Sequence, residues 1–137
     1  MENRAILVIT HGEFGIELIK SVEMIMGPQK NLCALALRPG ESVDALREET
    51  NKIVKENDKN GLETILLVDL LGGSPSNVAL SLLSKYDLHI LTGINMPLLI
   101  ELLTFYQTVE DTKNLIETVQ ETSASGIHHL NRNFLKK

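Results

Sequence analysis

Short apolar runs with the length of β-strands alternate with segments of helical periodicity along most of this sequence. The predicted strands cover residues 4–10, 31–37, 64–69 and 88–92, and each leads into a segment with apolar residues at helical spacing. Alternation with short links predicts parallel strands joined by right-handed crossovers. The continuous apolar character of the first three strands predicts that both faces of the sheet are covered. We therefore expect an α/β fold with an open, doubly wound sheet.

The predicted helices begin and end at recognisable signals. The first covers residues 14–26, and Ser42 caps the second. A last helix is predicted over residues 109–125, followed by an edge strand and tail at about 127–137. The sequence has no internal repeat and no low-complexity linker. We expect the chain to form a single domain over residues 1–137.

Composition excludes several classes of function. The formal net charge of −5 leaves no concentrated basic face, so neither nucleic acid nor an anionic membrane surface is an expected partner. No apolar stretch approaches the roughly 18 residues that cross a bilayer, so no direct membrane insertion is expected. The single cysteine, Cys33, lies in an apolar run and is expected to be buried. One cysteine excludes an internal disulfide and is typical of a reducing, cytoplasmic location.

His11 stands where the first apolar run stops, and Gly12 follows it. In open α/β sheets, ligands gather at the carboxyl ends of the strands. An imidazole placed there is a candidate nucleophile, although a histidine at a strand end can also be a core residue or a ligand. The other residues at this edge of the sheet decide whether His11 is a nucleophile, a core residue or a ligand.

The segment over residues 69–77 supplies complementary chemistry. A buried strand ends in Asp69, Gly72 and Gly73 follow, and a helix is predicted to begin with Ser74 as its N-cap and Pro75 at its first position. Glycines permit close approach of the backbone to a ligand, and the unpaired N–H groups of a helix N-terminus bind anions. The same segment is also consistent with an ordinary strand-to-helix turn.

A third loop, residues 93–97, again follows a strand and opens a helix. If the first and third strands are neighbours and the second lies outside the first, all three loops converge on one crevice. Asp69 would then fix the tautomer of His11 and leave its other nitrogen free to attack, while N–H groups hold phosphoryl oxygens. This set predicts a phosphohistidine carrier that needs neither a metal nor another cofactor.

Other polar residues carry weaker hypotheses. Arg38 follows the second strand and is expected either to form a surface ion pair or to steady a phosphate or an acidic partner. Adjacent strand residues point to opposite faces, so His128 and His129 are not expected to chelate a metal together. They and His89 are interpreted as structural or exposed.

The chain resembles the enzyme IIA domain of the mannose-type phosphoenolpyruvate-dependent sugar phosphotransferase system. The matching motifs spread over most of the chain in the family's order and spacing: Thr10-His11-Gly12, Gly27, Pro39-Gly40-Glu41, residues 69–77 and Gly93-Ile94-Asn95-Met96-Pro97. The resemblance implies that His11 is phosphorylated by the carrier protein HPr and discharged to enzyme IIB, which serves the membrane components IIC and IID. It also implies that Asp69 orients His11 and that Gly12, Gly72, Gly73 and Ser74 bind the phosphoryl group.

The resemblance further implies a fold and an assembly. Four parallel strands in the order 2-1-3-4 are expected, with an antiparallel edge strand at about residues 127–131 that is exchanged across a homodimer. Residues 98–106 are apolar nearly all round, which is consistent either with association or with packing inside the monomer.

Two alternatives stay open at this point. The phosphotransfer subunit of a dihydroxyacetone kinase shares the general plan but usually has serine after the active histidine and lacks the Gly-Gly-Ser-Pro turn. A receiver-like regulatory domain would be phosphorylated where Asp69 lies, but it needs acidic metal ligands after the first strand. Glu13 alone cannot supply them. Gly12 and residues 73–75 favour the sugar phosphotransferase branch.

Overall fold

The four predicted strands form one parallel sheet in the order β2-β1-β3-β4. The computed structural model describes residues 3–136, so residues 1, 2 and 137, at the ends of the predicted domain, lie outside it. The elements are β1 (Arg4–His11), α1 (Phe14–Met26), β2 (Leu32–Leu37), α2 (Val43–Lys59), β3 (Glu63–Val68), α3 (Ser74–Ser81), β4 (His89–Thr92), α4 (Met96–Phe105), α5 (Thr112–Ala124) and a 3₁₀ helix (Arg132–Lys136). The predicted doubly wound architecture and strand order are confirmed.

Alternate residues of the central strands enter two separate cores. Ile6 and Val8 of β1 face a core that includes side chains of α1, α4 and α5. Leu7 and Ile9 face the opposite core, to which α2 and α3 contribute. Burying a large aliphatic side chain stabilises a fold by about 1.5–3 kcal/mol. These two layers therefore hold β1 from both sides and fix its direction.

In the sheet, β1 continues two residues beyond the end of β3. Ile9 lies opposite Val68, the last residue of β3, whereas His11 lies opposite Leu37 of β2. The two residues after Ile9 therefore extend beside the turn that Asp69 begins. This offset places His11 at the carboxyl edge of the sheet, within reach of two different loops.

Gly15 brings α1 close to the end of β1. A Cβ atom at Gly15 would lie 2.8 Å from Cγ1 of Val8 and 3.1 Å from Cγ2 of Thr10. The backbone N–H of Gly15 donates to the hydroxyl of buried Thr10 at 2.8 Å. The first turn of α1 is thereby fixed directly behind His11.

A buried arginine organises the opposite edge of the sheet. Arg4 is 1% exposed, and its guanidinium donates to the carbonyl oxygens of Tyr106 (2.8 Å), Val109 (2.5 Å) and Glu110 (2.9 Å). Its Nε also lies 3.2 Å from Oε1 of Glu63. The connection between α4 and α5 is thus bound to the start of β1.

Most of the apolar side chains of residues 98–106 pack inside the monomer. Leu98, Leu99, Leu102 and Leu103 are buried in the core shared with α1 and α5, and Tyr106 is 5% exposed. Core packing accounts for these five side chains, whereas Phe105 is 39% exposed. No helix among the described residues 3–136 has the length and hydropathy needed to cross a membrane.

The carboxyl-terminal tail and Cys33 differ from the predictions. Residues 127–131 contain no strand in the single chain, and a 3₁₀ helix follows them. A strand needs a neighbouring backbone to complete its hydrogen bonds, and in the single chain the tail pairs with none of the described strands. Cys33 is exposed, because β2 is an edge strand with no strand on its outer side in the described part of the chain.

Candidate functional site

His11 and Asp69 are in direct contact at the carboxyl edge of the sheet. Nδ1 of His11 lies 2.7 Å from Oδ2 of Asp69, and the backbone N–H of His11 donates to the same oxygen at 2.9 Å. An ionised carboxylate only accepts hydrogen bonds, so Nδ1 carries the hydrogen and Nε2 keeps its lone pair. The His11 side chain is 51% exposed, whereas that of Asp69 is 11% exposed. The imidazole is therefore half-exposed, whereas the carboxylate that contacts it is largely shielded from solvent.

Asp69 is held in its ionised form by the groups around it. Partial burial by itself raises the pKa of this carboxyl, but hydrogen bonds from the backbone and ring of His11 outweigh that effect. The backbone N–H of Leu70 also donates to Oδ1 of Asp69 at 3.0 Å. The net result is a pKa below the usual value for aspartate.

Gly73 packs against the Cε1–Nε2 side of the imidazole. A Cβ atom at this position would lie 2.7 Å from Cε1 of His11 and 3.3 Å from Nε2. Gly12 and Gly72 both have positive φ angles, of 57° and 102°, which side chains other than glycine rarely adopt. The absence of a side chain at Gly73 thus allows its backbone to approach Nε2 of His11, while Gly12 and Gly72 permit the turns on either side.

The N-terminus of α3 lies at this same side of His11, with one difference from the prediction. The helix begins at Ser74, and Gly73, not Ser74, is the N-cap. Gly73 already has the extended backbone of an N-cap, and no side chain caps the helix. The Ser74 hydroxyl therefore makes no hydrogen bond within residues 3–136 and is available to a ligand, as are the unpaired N–H groups of the first turn.

The loop after β2 also reaches His11, which the sequence analysis did not predict. The backbone N–H of Gly12 donates to the carbonyl of Leu37 at 2.7 Å. An open cavity of about 480 Å³ is lined by His11, Gly12 and residues 37–41. His11 and Leu37 lie opposite each other in the register of β1 and β2, and this pairing brings the loop after β2 to the site.

Arg38 in this loop forms the ion pair that was one of its two predicted roles. Its Nε lies 2.5 Å from Oε1 of Glu13, and its Nη1 lies 3.7 Å from Oε1 of Glu41. The hydrogen bond that Arg38 donates to Glu13 raises the pKa of the Arg38 guanidinium. The pair joins the two loops on either side of the cavity.

The side chain of Asn95, in the loop over residues 93–97, forms its hydrogen bonds within the fold. Oδ1 of Asn95 accepts from the N–H of Leu98 at 2.9 Å and so caps α4, while its Nδ2 donates to the carbonyl of Ser123. Pro97 packs against Gly126. No hydrogen bond joins this loop to His11 or Asp69 in the described part of the chain. Its role is to anchor the end of α5.

The remaining histidines lie away from the site. His89 begins β4 at the opposite edge and is 3.8 Å from Glu63, and His128 and His129 are exposed. Across residues 3–136 there is no group of three or more His, Cys, Asp or Glu side chains arranged to hold a metal ion.

Three exposed apolar side chains belong to the loops and helix start around His11. Phe14 is 47% exposed at the start of α1, and Leu70 and Leu71 are 50% and 67% exposed in the turn after β3. Single exposed apolar residues are common, but three at one edge beside a half-exposed histidine are typical of a protein-binding surface. We call Phe14, Leu70 and Leu71 the apolar rim.

Comparison with known proteins agrees with this geometry. A family model described as the PTS system fructose IIA component (EIIA-man) matches residues 5–120. The fructose-specific EIIA component of Bacillus subtilis is 30% identical over 122 residues, which cover 87% of this chain and 83% of that protein. The mannose-specific EIIAB component of Escherichia coli K12 is 32% identical over 92% of this chain, which spans 39% of that longer relative.

A solved structure gives the same result. The PTS IIA protein associated with the fucose utilization operon of Streptococcus pneumoniae superposes with a TM-score of 0.80 at 32% identity, covering 99% of this chain and 98% of the other. The resemblance found in the sequence is confirmed. The chain therefore belongs to the EIIA-man family, the mannose-family IIA components of the sugar phosphotransferase system.

Proposed function

We propose that this chain is a phosphoryl carrier in which His11 accepts a phosphoryl group from phospho-HPr and passes it to enzyme IIB for sugar uptake. The observation that carries the proposal is the orientation of one imidazole. Nδ1 of His11 is committed to Asp69, and the Cε1–Nε2 side of the ring faces Gly73 at the N-terminus of α3. This is the geometry of an activated nucleophile beside an anion site.

The transfer step conserves atoms and charge without a further reactant. Nε2 of His11 attacks phosphorus with its lone pair, and an N–P bond forms as the bond between phosphorus and the donor breaks. The electron pair of the broken bond stays with the donor, and the proton on Nδ1 stays shared with Asp69. A second transfer of the same kind discharges His11. Enzyme IIB is then the nucleophile that attacks phosphorus, the N–P bond breaks, and its electron pair returns to Nε2 of His11.

The phosphoryl oxygens require donors that do not depend on a metal. Gly12, Gly72, Gly73 and Ser74 are the proposed phosphoryl-binding residues. Support comes from the uncapped N-terminus of α3 and the unused Ser74 hydroxyl. Donors fixed in position before the reaction stabilise developing charge on transferring phosphoryl oxygens.

The apolar rim supports transfer between proteins rather than to a small molecule. His11 is half-exposed, and an incoming protein that covers the rim would exclude water from the phosphoryl group. Successive donor and acceptor proteins would then use the same face in turn. This role requires a cytoplasmic location, where phosphoenolpyruvate is produced. We also propose that residues 1–137 form one IIA domain.

We also propose that the chain functions as a homodimer. The outer edge of β4 has no strand partner within residues 3–136. The tail presents Ile127, Leu130 and Leu135 at 85%, 59% and 81% exposure, which is unfavourable for a segment that stays in water. An exchanged edge strand would pair the edge and cover these side chains. A monomeric mass in solution scattering would contradict this assembly.

The test of the carrier function is incubation with phosphoenolpyruvate, enzyme I and HPr, followed by intact-mass measurement. We expect one acid-labile phosphoryl group per chain in the wild type and none in His11→Ala. His128→Ala is the matched control, because His128 is exposed and is not among the hydrogen-bond partners of Asp69 in residues 3–136. Incorporation into His11→Ala, or a phosphoryl group that survives acid, would overturn the assignment.

A further inference from the structure

Arg38 shares the open cavity beside His11 and carries the one guanidinium among the residues that line it. Leu37, the residue before it, is the register partner of His11, and neighbouring strands lie only about 4.8 Å apart. The long arginine side chain thus starts next to the phosphoryl-accepting ring. Its position follows from the pairing of β1 with β2.

In the unphosphorylated protein this guanidinium is held by carboxylates that leave part of it unused. Glu13 contacts Nε, and Glu41 lies 3.7 Å from Nη1. Nη2 has no hydrogen-bond partner among residues 3–136. Both Arg38 and Glu13 are about half exposed, so neither is locked in place by packing.

Glu13 stands at the start of α1. It occupies the N-cap position of α1, yet its side chain makes no capping hydrogen bond. A carboxylate at this position remains favourably placed beside the positive end of α1 if it leaves Arg38. The ion pair can therefore open without leaving a negative charge in an unfavourable place.

A phosphoryl group on His11 would compete directly with Glu13. It carries about 1.5 to 2 negative charges and three acceptor oxygens, against the single charge of one carboxylate. Planar guanidinium groups bind phosphoryl oxygens through two parallel hydrogen bonds, whereas Glu13 engages Nε alone. We propose that Arg38 is a switchable phosphoryl-binding residue, paired with Glu13 when His11 is free and transferred to the phosphoryl oxygens when His11 is charged. This inference rests on the proposed phosphorylation of His11.

The test compares Arg38→Met, Glu13→Gln and the double variant by ³¹P NMR of the phosphorylated proteins. Contact with Arg38 favours the phosphoryl dianion, so the phosphoryl pKa is expected to rise in Arg38→Met and to fall in Glu13→Gln, which frees Arg38. In the double variant the Glu13→Gln effect should vanish. The equilibrium constant for transfer from phospho-HPr is expected to fall about tenfold or more in Arg38→Met.

Arg47→Met is the matched control, because Arg47 forms a similar exposed pair with Asp44 on α2 and should leave every value unchanged. Arg38→Lys keeps the charge without the planar fork and should recover part of the shift. Equal phosphoryl pKa values and equilibrium constants in the wild type and Arg38→Met would overturn the role of Arg38 while leaving His11 assigned. Failure of the wild type to take up phosphate would instead overturn the carrier function.

Discussion

A single oxygen of Asp69 binds His11 twice, through the backbone N–H at 2.9 Å and through Nδ1 at 2.7 Å. The other oxygen accepts from Leu70 at 3.0 Å. All three partners are donors, so the position requires a group that only accepts. The carboxylate therefore sets both the ring orientation of His11 and the shape of the turn that carries Gly72 and Gly73.

Asp69→Asn is expected to slow phosphoryl transfer to His11. Either orientation of the amide points its NH₂ group at an N–H donor, of His11 or of Leu70, and a hydrogen bond to a charged group is lost. Such bonds contribute about 1.5–3 kcal/mol, which corresponds to roughly ten- to a hundredfold in rate. Rapid-quench experiments with phospho-HPr measure the rate of transfer to His11. An unchanged rate in Asp69→Asn would remove Asp69 from the mechanism.

The same carboxylate predicts a contribution to stability in acid. The pKa of Asp69 is lower in the folded chain than in the unfolded one. Its stabilisation is therefore fully present above the unfolded value and is lost as pH falls through the folded value. Between about pH 6 and about pH 3, the free energy of unfolding should fall further in the wild type than in Asp69→Asn. Urea titrations at each pH measure the free energy of unfolding. Parallel plots of this free energy against pH for the two proteins would contradict the prediction.

Gly73→Ala is expected to impair transfer more than stability. The new methyl group would meet Cε1 of His11 at 2.7 Å, and the half-exposed ring can relieve the clash by turning into solvent and leaving Asp69. Gly61→Ala is the control, because it strains a left-handed turn (φ 76°) with open space around it. It should lower stability by about 1 kcal/mol without changing transfer. Equal transfer rates in Gly73→Ala and the wild type would show that this close approach has no functional role.

Arg4→Met is expected to destabilise the fold by about 3–5 kcal/mol, since it leaves buried carbonyl groups without donors and Glu63 without its cation. Arg47→Met removes an exposed pair and should cost less than about 0.5 kcal/mol. Chemical denaturation compares the two variants. A small effect at Arg4 would mean that water or another residue replaces the guanidinium.

Ser76→Ala is expected to be neutral or stabilising by up to about 1 kcal/mol, because the buried Ser76 hydroxyl has no hydrogen-bond partner among the described residues. Thr50→Val provides the contrast, since the buried Thr50 hydroxyl donates to the carbonyl of Leu46 at 2.7 Å. The valine variant should lose about 1 kcal/mol. Thermal unfolding distinguishes them, and a marked loss in Ser76→Ala would reveal an unrecognised partner.

The fold and the central pair of the site could be predicted because both follow from local pattern. Apolar runs define the strands, and the end of each run places His11 and Asp69 at one edge. Side-chain contacts between distant segments leave no such pattern. The burial of Arg4 depends on carbonyl groups more than 100 residues away, and the role of residues 37–41 depends on the β1–β2 register.

The exposure of Cys33 and the contacts of Asn95 depend on neighbours that a sequence does not specify. Cys33 was wrongly predicted to be buried: it lies in an apolar run, but an edge strand leaves it exposed. Asn95 lies at the carboxyl end of a strand like Asp69, but its side chain caps α4 and contacts Ser123. The tail at residues 127–131 forms no strand in the single chain, so its exchange across a homodimer stays a prediction.

The contacts of Arg4 also bear on how the chain is made. Its carbonyl partners lie 102 to 106 residues later in the sequence, and Thr112 lies 108 residues later. During synthesis on the ribosome, β1 therefore emerges well before the α4–α5 connection that supplies the partners of its guanidinium. The contacts that hold the start of β1 cannot form until that connection has been made, which couples completion of the sheet to a segment synthesised much later.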